Sequence, residues 1–251
     1  MSIGEIFAIA LAGLAAGTVN TVVGSGTLIT FPVLLAFGYA PVTANVSNTI
    51  GLVPGSISGA VGYRRELAGQ RRRAVRFGIA SMLGGITGAV LLLVLPASAF
   101  KVIVPVFIAA ALVLVIVQPW LNRRLAERRT RPRHEGGVFT PLAVYATGVY
   151  GGYFGAAQGI VLLAILGVAL PQDLHRTNAL KNVLAALVNG VAGIYFALVA
   201  HVAWGPVAII AAASIVGGQL GARYGRRLSP DALRALIVVV GTTAIVRLLV
   251  S

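Results

Sequence analysis

Residues 23–37 read V-G-S-G-T-L-I-T-F-P-V-L-L-A-F, and residues 156–170 read A-A-Q-G-I-V-L-L-A-I-L-G-V-A-L. Each stretch opens on a glycine-bearing turn, Val23-Gly24-Ser25-Gly26 or Ala156-Ala157-Gln158-Gly159, and continues as an apolar run of eleven residues, 27–37 or 160–170. Eleven residues make ~16 Å of helix at ~1.5 Å per residue, about half of a ~30 Å hydrocarbon core. Short apolar segments interrupted by glycine, at matching places in two halves of a chain, point to discontinuous membrane helices. Eight further apolar segments surround them: roughly 3–20, 43–62, 75–95, 99–118, 139–156, 176–200, 203–222 and 231–250. Most reach the ~20 residues needed to span a bilayer.

Composition agrees. Of 251 residues, 58% are hydrophobic and 10% charged, and the mean hydropathy is +0.92. A soluble domain carries about 25% charged residues, and disorder requires low hydrophobicity. A membrane β-barrel would show alternating segments of ~10 residues rather than continuous apolar runs. The 31 glycines suit close packing of membrane helices. With no cysteine, disulfides, thiolate metal sites and cysteine nucleophiles are excluded. The N-terminus lacks a basic n-region and its apolar run leads straight into the body of the protein, so no cleaved signal is expected.

The net charge of +14 is placed in loops and reads as topology rather than nucleic-acid binding. Arg64, Arg65, Arg71, Arg72, Arg73 and Arg76 lie between the third and fourth segments. Arg123, Arg124, Arg128, Arg129, Arg131 and Arg133 lie in the centre of the chain. Arg223, Arg226, Arg227 and Arg234 precede the last segment, and Arg176 and Lys181 open the eighth. The positive-inside rule puts all of them on the cytoplasmic side. Segments one and two must then begin and end on one side, as must six and seven, either as tilted spans or as hairpins. The two halves come out with opposite orientation.

The halves also match in sequence. Gly26 aligned with Gly159 is an offset of 133, which pairs Asn45 with Asn178, Thr49 with Asn182, Ser56 with Asn189 and Tyr63 with Phe196. The glycine-to-asparagine spacing is nineteen in both halves with no gap. The expected fold is therefore an all-α polytopic membrane protein of two inverted-topology repeats, each with a short broken pair and three spanning helices. The first repeat covers 1–118, a basic cytoplasmic linker 119–138, and the second repeat 139–251.

These residues resemble the sulfite exporter TauE/SafE family. The stretch A-G-x-x-A-G-x-x-N-x-x-V-G-S-G-T-L-I-T-F-P from Ala12 is similar to its glycine-rich N-terminal motif, with Val23-Gly24-Ser25-Gly26 where a G-G-G-G or G-G-G-S run is usual. The stretch G-x-Y-G-G-Y-F-G-A-A-Q-G-I from Gly148, followed by R-T-N-A-L-K-N from Arg176, resembles the repeated motif. The resemblance covers essentially the whole chain. It implies a secondary transporter that moves a small sulfur-containing anion, such as sulfite or an organosulfonate, across the bacterial inner membrane.

Polar residues within apolar segments are costly in a bilayer and are functional candidates by default. Asn178, Lys181, Asn182 and Asn189 sit at i, i+3, i+4 and i+11, one face of a helix. Asn45, Asn48, Thr49 and Ser56 repeat that spacing in the first half. Both faces are expected to donate hydrogen bonds to a bound oxyanion, with Lys181 adding a cation. The competing readings are interhelical hydrogen bonding for the asparagines and snorkelling to the interface for Lys181. The turns supply Gly24, Ser25, Gly26, Thr27, Gln158 and Gly159, and Asn20 lies just before the first of them. Helices beginning there would aim free N–H groups at an anion; packing and turn formation are the alternatives.

The six acidic residues, Glu5, Glu66, Glu127, Glu135, Asp173 and Asp231, lie in loops or near segment ends. His134, His175 and His201 make no metal-ligand spacing. No catalytic residue, metal or cofactor is expected, and the chain does not read as an enzyme. The expected partners are a small inorganic or organic anion and the lipid bilayer. An anion channel or a non-catalytic scaffold subunit are the other readings. The stripes Gly84-Gly85-Gly88 and Gly217-Gly218-Gly221 fit packing within one chain or between the copies of a homodimer.

Overall fold

The computed structural model describes residues 1–127, 137–225, 235 and 237–243. Helices follow the apolar segments in order: α1 Ile3–Val22, α2 Thr27–Ala36, α3 Pro41–Gly62, α4 Arg71–Val94, α5 Ala97–Glu127, α6 Phe139–Tyr153, α7 Gln158–Ala169, α8 Leu174–Val199 and α9 Trp204–Tyr224. Residues 237–243 are helical as well. Most of the segment expected at 231–250 lies outside the described residues. No strand occurs among the described residues.

Local chemistry sets the helix ends. Ser2 and Glu5 form a capping box at the start of α1, each side chain bonded to the other's backbone N–H. Such caps satisfy donors that the helix leaves unpaired. Asp173 caps α8, accepting from Arg176 N at 2.9 Å. Pro41 occupies the first position of α3, where a missing N–H costs nothing. The helix α5 continues to Glu127, past residue 118, because the leucines, arginines, alanine and glutamate of 121–127 are good helix formers.

Among the described residues, five helical stretches are long and apolar enough to cross a membrane: α1, α4, residues 98–121 of α5, α8 and α9. The protein is a multi-pass membrane protein. At 22 residues α3 is long enough, but Asn45, Ser47, Asn48, Thr49, Ser56 and Ser58 are buried along it and lower its apolar content. Those groups face neighbouring helices rather than lipid. Large apolar side chains such as Phe7, Val102 and Leu198 are exposed on the outside, as lipid contact requires.

Two bundles are joined in the middle. In the first, α1 and α3 both run parallel to α9. Gly13 meets Ile210, Gly17 meets Ser214 and Gly221 meets Thr18; along α3, Gly51 meets Ile210 and Gly55 meets Ser214. In the second, α6 and α8 run parallel to α4. Gly84 meets Tyr145 and Gly88 meets Val149, while Ser81 Oγ donates to Leu184 O and Gly85 packs on Val188. The bundles meet where α3 and α8 cross in opposite directions: Asn189 reaches Ser56, and Gly193 packs on Val53 and Ile50. Both glycine stripes therefore serve packing within one chain. Gly84 and Gly88 seat α6, Gly85 seats α8, Gly217 and Gly221 seat α1, and Gly218 seats α3.

One end of the assembly is basic. Arg176 Nη2 donates to Ala68 O at 2.8 Å, Gln70 Nε2 to Arg176 O at 3.0 Å, and Arg73 Nη1 to Gln172 Oε1 at 2.8 Å. These bonds tie the turn before α4 to the turn before α8. Arg76 Nη2 reaches Gly137 O at 3.4 Å, so the start of α6 lies at the same end.

Another tie joins the start of α1 to the turn between α2 and α3, where Tyr39 OH donates to Glu5 Oε1 at 2.8 Å. Burial, and then the bond to Glu5 and its charge, push the Tyr39 hydroxyl up to about 12 from 10.0. Its neutral form is the one the fold favours. That contribution is complete below the unfolded value and is lost as pH rises through about 12. Tyr39→Phe is expected to lower the melting temperature at neutral pH by the worth of one hydrogen bond, ~1 kcal/mol. The difference from wild type should shrink between pH 10.0 and about 12; melting curves across that range check it.

Candidate functional site

The two broken pairs meet backbone to backbone. α1 ends at Val22, and Gly24 turns the chain with φ +90°, its N–H returning to Val19 O at 3.0 Å. In the other half α6 ends at Tyr153, and Gly155 takes φ +74°, its N–H returning to Tyr150 O at 3.0 Å. Ala157 then takes φ +58°, the one positive φ outside glycine among the described residues. Alanine in this conformation is strained by ~1–2 kcal/mol. Gly24 and Ala157 are 133 residues apart, the offset that aligns Gly26 with Gly159. The Tyr150 hydroxyl bonds to Ala156 O and braces the second turn.

Gly159 N–H donates to Gly24 O at 3.0 Å, so the starts of α2 and α7 touch. A Cβ on either glycine would run into the other's Cα. Neither helix has a side-chain N-cap. In α2 the backbone bonds begin with Leu28, Ile29 and Thr30, which return to the carbonyls of Ser25 and Gly26.

Lys181 is 0% exposed, so it does not snorkel. Its Nζ donates to Asn20 O at 3.1 Å and Thr21 O at 3.2 Å. Asn178 Nδ2 and Asn182 Nδ2 also donate to Thr21 O, each at 3.3 Å. Three donors from one face of α8 thus converge on the last carbonyls of α1. Those carbonyls have no partner within the helix and form the negative end of its dipole. The first half does the same for the second: Asn45 Nδ2 donates to Tyr153 O at 2.9 Å, the last residue of α6.

The other polar groups knit the centre together. Asn48 Nδ2 donates to Thr27 Oγ1 at 3.3 Å, and Thr30 Oγ1 bonds Asn48 Oδ1, which fastens the first turn of α2 to α3. Ser56 Oγ accepts from Asn20 Nδ2 and from Asn189 Nδ2, both at 3.1 Å. Thr49 Oγ1 turns back to Asn45 O in its own helix. Gln158 packs flat on Gly151.

The expected residues therefore gather in one buried region, but their donors reach backbone carbonyls and each other. Among the described residues, the side-chain atoms of this region left without a partner are Ser25 Oγ, Gln158 Nε2, Asn45 Oδ1, Asn178 Oδ1 and Tyr153 OH; Gln70 Oε1 and Gln172 Nε2, at the basic end, are left so too. Ser25 is 1% exposed and Gln158 4%, and they sit at the starts of α2 and α7. Sequence reasoning missed Thr21, Thr30, Tyr150 and Tyr153. Thr30 lies one turn along from Gly26 and was legible as a polar residue in an apolar run; the carbonyl roles of Thr21 and Tyr153 carry no sequence signal. Among the described residues no three His, Cys, Asp or Glu side chains lie close enough to hold a metal ion.

The sequence profile of the sulfite exporter TauE/SafE family matches residues 9–248. The chain belongs to the TauE/SafE family. It is similar to the probable membrane transporter protein YfcA of Escherichia coli K12, 27% identical over 252 residues covering 98% of this chain and 89% of the relative. It is similar also to the probable membrane transporter protein ORF9 of a Sinorhizobium species, 26% identical over 240 residues, 95% and 90% covered. A probable membrane transporter protein of Haemophilus influenzae is 26% identical over 227 residues, 90% and 88% covered. This TauE/SafE chain is a membrane transporter and not an enzyme, and its buried polar cluster lies wholly inside the matched range.

The Ser56 junction is testable as structure. Ser56→Ala leaves two half-buried amides, of Asn20 and Asn189, without their shared acceptor. The expected loss is ~1 kcal/mol, read as a fall of ~2–4 °C in melting temperature in detergent at this size.

Proposed function

We propose that this chain is a secondary transporter for a small sulfur-containing oxyanion, of the sulfite or organosulfonate class, at the bacterial inner membrane. Two inverted repeats, 1–118 and 139–251, exchange a helix each, so that the bundles α1–α3–α9 and α4–α6–α8 rock about the α3–α8 crossing and expose the site alternately to each side. The basic end faces the cytoplasm.

The observation that carries this reading is the paired helix start at Gly24 and Gly159. Both α2 and α7 begin in the interior, each with an unpartnered buried polar atom, Ser25 Oγ and Gln158 Nε2. Helix starts and uncharged donors favour anions; at α7 the N–H groups of Gln158, Gly159 and Ile160 are bonded to Gly155 O, Gly24 O and Ala157 O, so the Gly159 donor becomes free only when its bond to Gly24 opens. Lys181 lies within two hydrogen bonds of the same turn, on Asn20 O and Thr21 O. Glu5, Glu66 and Asp173 are not among the buried residues. The repeat reading is supported by the opposite run of α1, α3 and α9 against α4, α6 and α8, and by the left-handed residues at Gly24 and Ala157. Here the Gly24–Gly159 bond closes the interior. Binding requires the halves to part and Lys181, Asn178 and Asn182 to turn from the α1 carbonyls to the anion.

The test is uptake into proteoliposomes and ligand-induced thermal shift, with sulfite, thiosulfate, sulfate, sulfoacetate, a small carboxylate and chloride. Selective stabilisation and saturable exchange of a sulfur oxyanion are expected. Non-saturating currents would make the protein a channel, and no response to any anion would sink the reading.

A further inference from the structure

The two helices that stop inside the molecule are finished differently. At the end of α1 the carbonyls of Asn20 and Thr21 take four bonds from α8, two of them from the Lys181 ammonium. At the end of α6 the carbonyl of Tyr153 takes one, from Asn45 Nδ2 at 2.9 Å. The N–H groups of Phe154 and Gly155 both turn back to Tyr150 O. Among the described residues no hydrogen bond reaches Gly151 O or Gly152 O.

The offset of 133 accounts for the difference. It pairs Asn45 with Asn178, but it pairs Asn48 with Lys181. Asn48 is uncharged and is taken up by Thr27 and Thr30 at the start of α2. Each helix end carries about half a negative elementary charge. The end of α1 meets an ammonium, whereas the end of α6 meets a single neutral amide.

A second observation lies at the same place. Asn45 is 0% exposed, and its Oδ1 has no partner. Because Nδ2 is held on Tyr153 O, Oδ1 stands one amide width from the last carbonyls of α6. Turning the amide over would set oxygen against oxygen, so the bond to Tyr153 decides which atom is left over. A buried acceptor without a donor is costly and calls for an explanation. Gln158 packs on Gly151 and brings another amide to this end of α6.

We infer that the end of α6 binds a monovalent metal cation on Asn45 Oδ1 and the carbonyls of Gly151 and Gly152. Hard cations take oxygen ligands, and a set of neutral oxygens suits one positive charge better than two. Helices that end within a transporter present their negative ends to such ions. The ion does for α6 what Lys181 does for α1. This rests on the pairing of the two halves in the proposed transporter, and it deepens that reading by adding a cation to the anion.

The test uses the purified wild type in detergent at fixed chloride and ionic strength, with no transported anion present. Sodium is exchanged for N-methyl-D-glucamine. Radiolabelled sodium is expected to bind saturably at one ion per chain. The melting temperature should rise by about 5–10 °C when sodium reaches ~100 times its dissociation constant. Asn45→Leu should abolish both responses. Asn45→Asp keeps the oxygen and adds a charge, and should lower the half-saturating sodium about 10-fold. Ser214→Ala removes another buried tie to α3, on Gly51 O at 3.1 Å; it should lower stability and keep the sodium response of wild type. A wild type that binds no labelled sodium overturns the inference. So does wild-type half-saturation in both Asn45 variants, or a response lost equally in Ser214→Ala. Sodium binding beside an anion panel that gives nothing would remove the anion reading and leave this site; the reverse result would remove the site and leave the anion reading.

Discussion

Lys181→Met is expected to leave a folded, membrane-inserted protein that transports its anion about 10–100-fold more slowly at limiting concentration. The magnitude is that of one hydrogen bond to a charged group, ~1.5–3 kcal/mol. Methionine matches the length of the stem and packs among apolar neighbours, so bulk is retained and only the donors are lost. In the closed structure Thr21 O keeps the amides of Asn178 and Asn182, whereas Asn20 O loses its Lys181 donor. The stability cost is accordingly small, ~1–2 kcal/mol. Lys181→Gln, which restores a donor without charge, separates the two roles. It should recover the melting temperature but not the transport. Initial rates in proteoliposomes, set beside melting curves, decide the matter. Wild-type rates in Lys181→Met would remove this side chain from the transport cycle and leave it a purely structural brace on α1.

Gly159→Val is expected to be the most damaging single substitution in the helix starts. A Cβ there meets Gly24 Cα and other backbone atoms, and no side-chain rotation relieves such a contact. Either the halves separate or the turn at Gly24 distorts, with an expected loss above about 3 kcal/mol. Gly24→Ala adds a second penalty, because φ +90° is unfavourable for any residue with a Cβ. Gly38 has φ +86° and nothing within 4 Å of its Cβ position, so Gly38→Ala isolates the conformational cost, ~1 kcal/mol. Melting of the three variants should rank Gly38→Ala mildest and Gly159→Val worst. If Gly159→Val melted like wild type, the Gly24–Gly159 contact would not hold the two halves together.

The short helices α2 and α7 were legible because an eleven-residue apolar run after a glycine turn is too short to span a bilayer and too apolar to form a loop. Their bounds came out within two residues. The polar faces of α3 and α8 were legible from spacing alone. What they touch was not. Asn45 reaches the end of α6, and Asn178 and Asn182 reach the end of α1, and a carbonyl at a helix terminus looks the same in sequence whatever sits there. The clustering of arginines predicted a basic end, and the bonds from Arg176 to Ala68 and from Arg73 to Gln172 bring two of those loops together. The glycine stripes gave no hint of their partners, since glycine marks a close approach without naming what approaches. The turn at Ala156-Ala157-Gln158-Gly159 was expected, but not that its left-handed residue would be Ala157, because an alanine advertises helix.

The polar character of α3 bears on how the chain is made. A helix is admitted to the bilayer from the ribosome largely on its own apolar content, and α3 falls short where α1, α4 and α8 do not. Its polar side is covered by α1, which emerges before it, and by α8 and α9, which emerge more than 100 residues later. Through much of synthesis the segment at the heart of the protein is therefore the one the lipid alone would release. A nascent chain halted after α5 should leave α3 accessible to reagents in water, and its burial should date from the arrival of the second half.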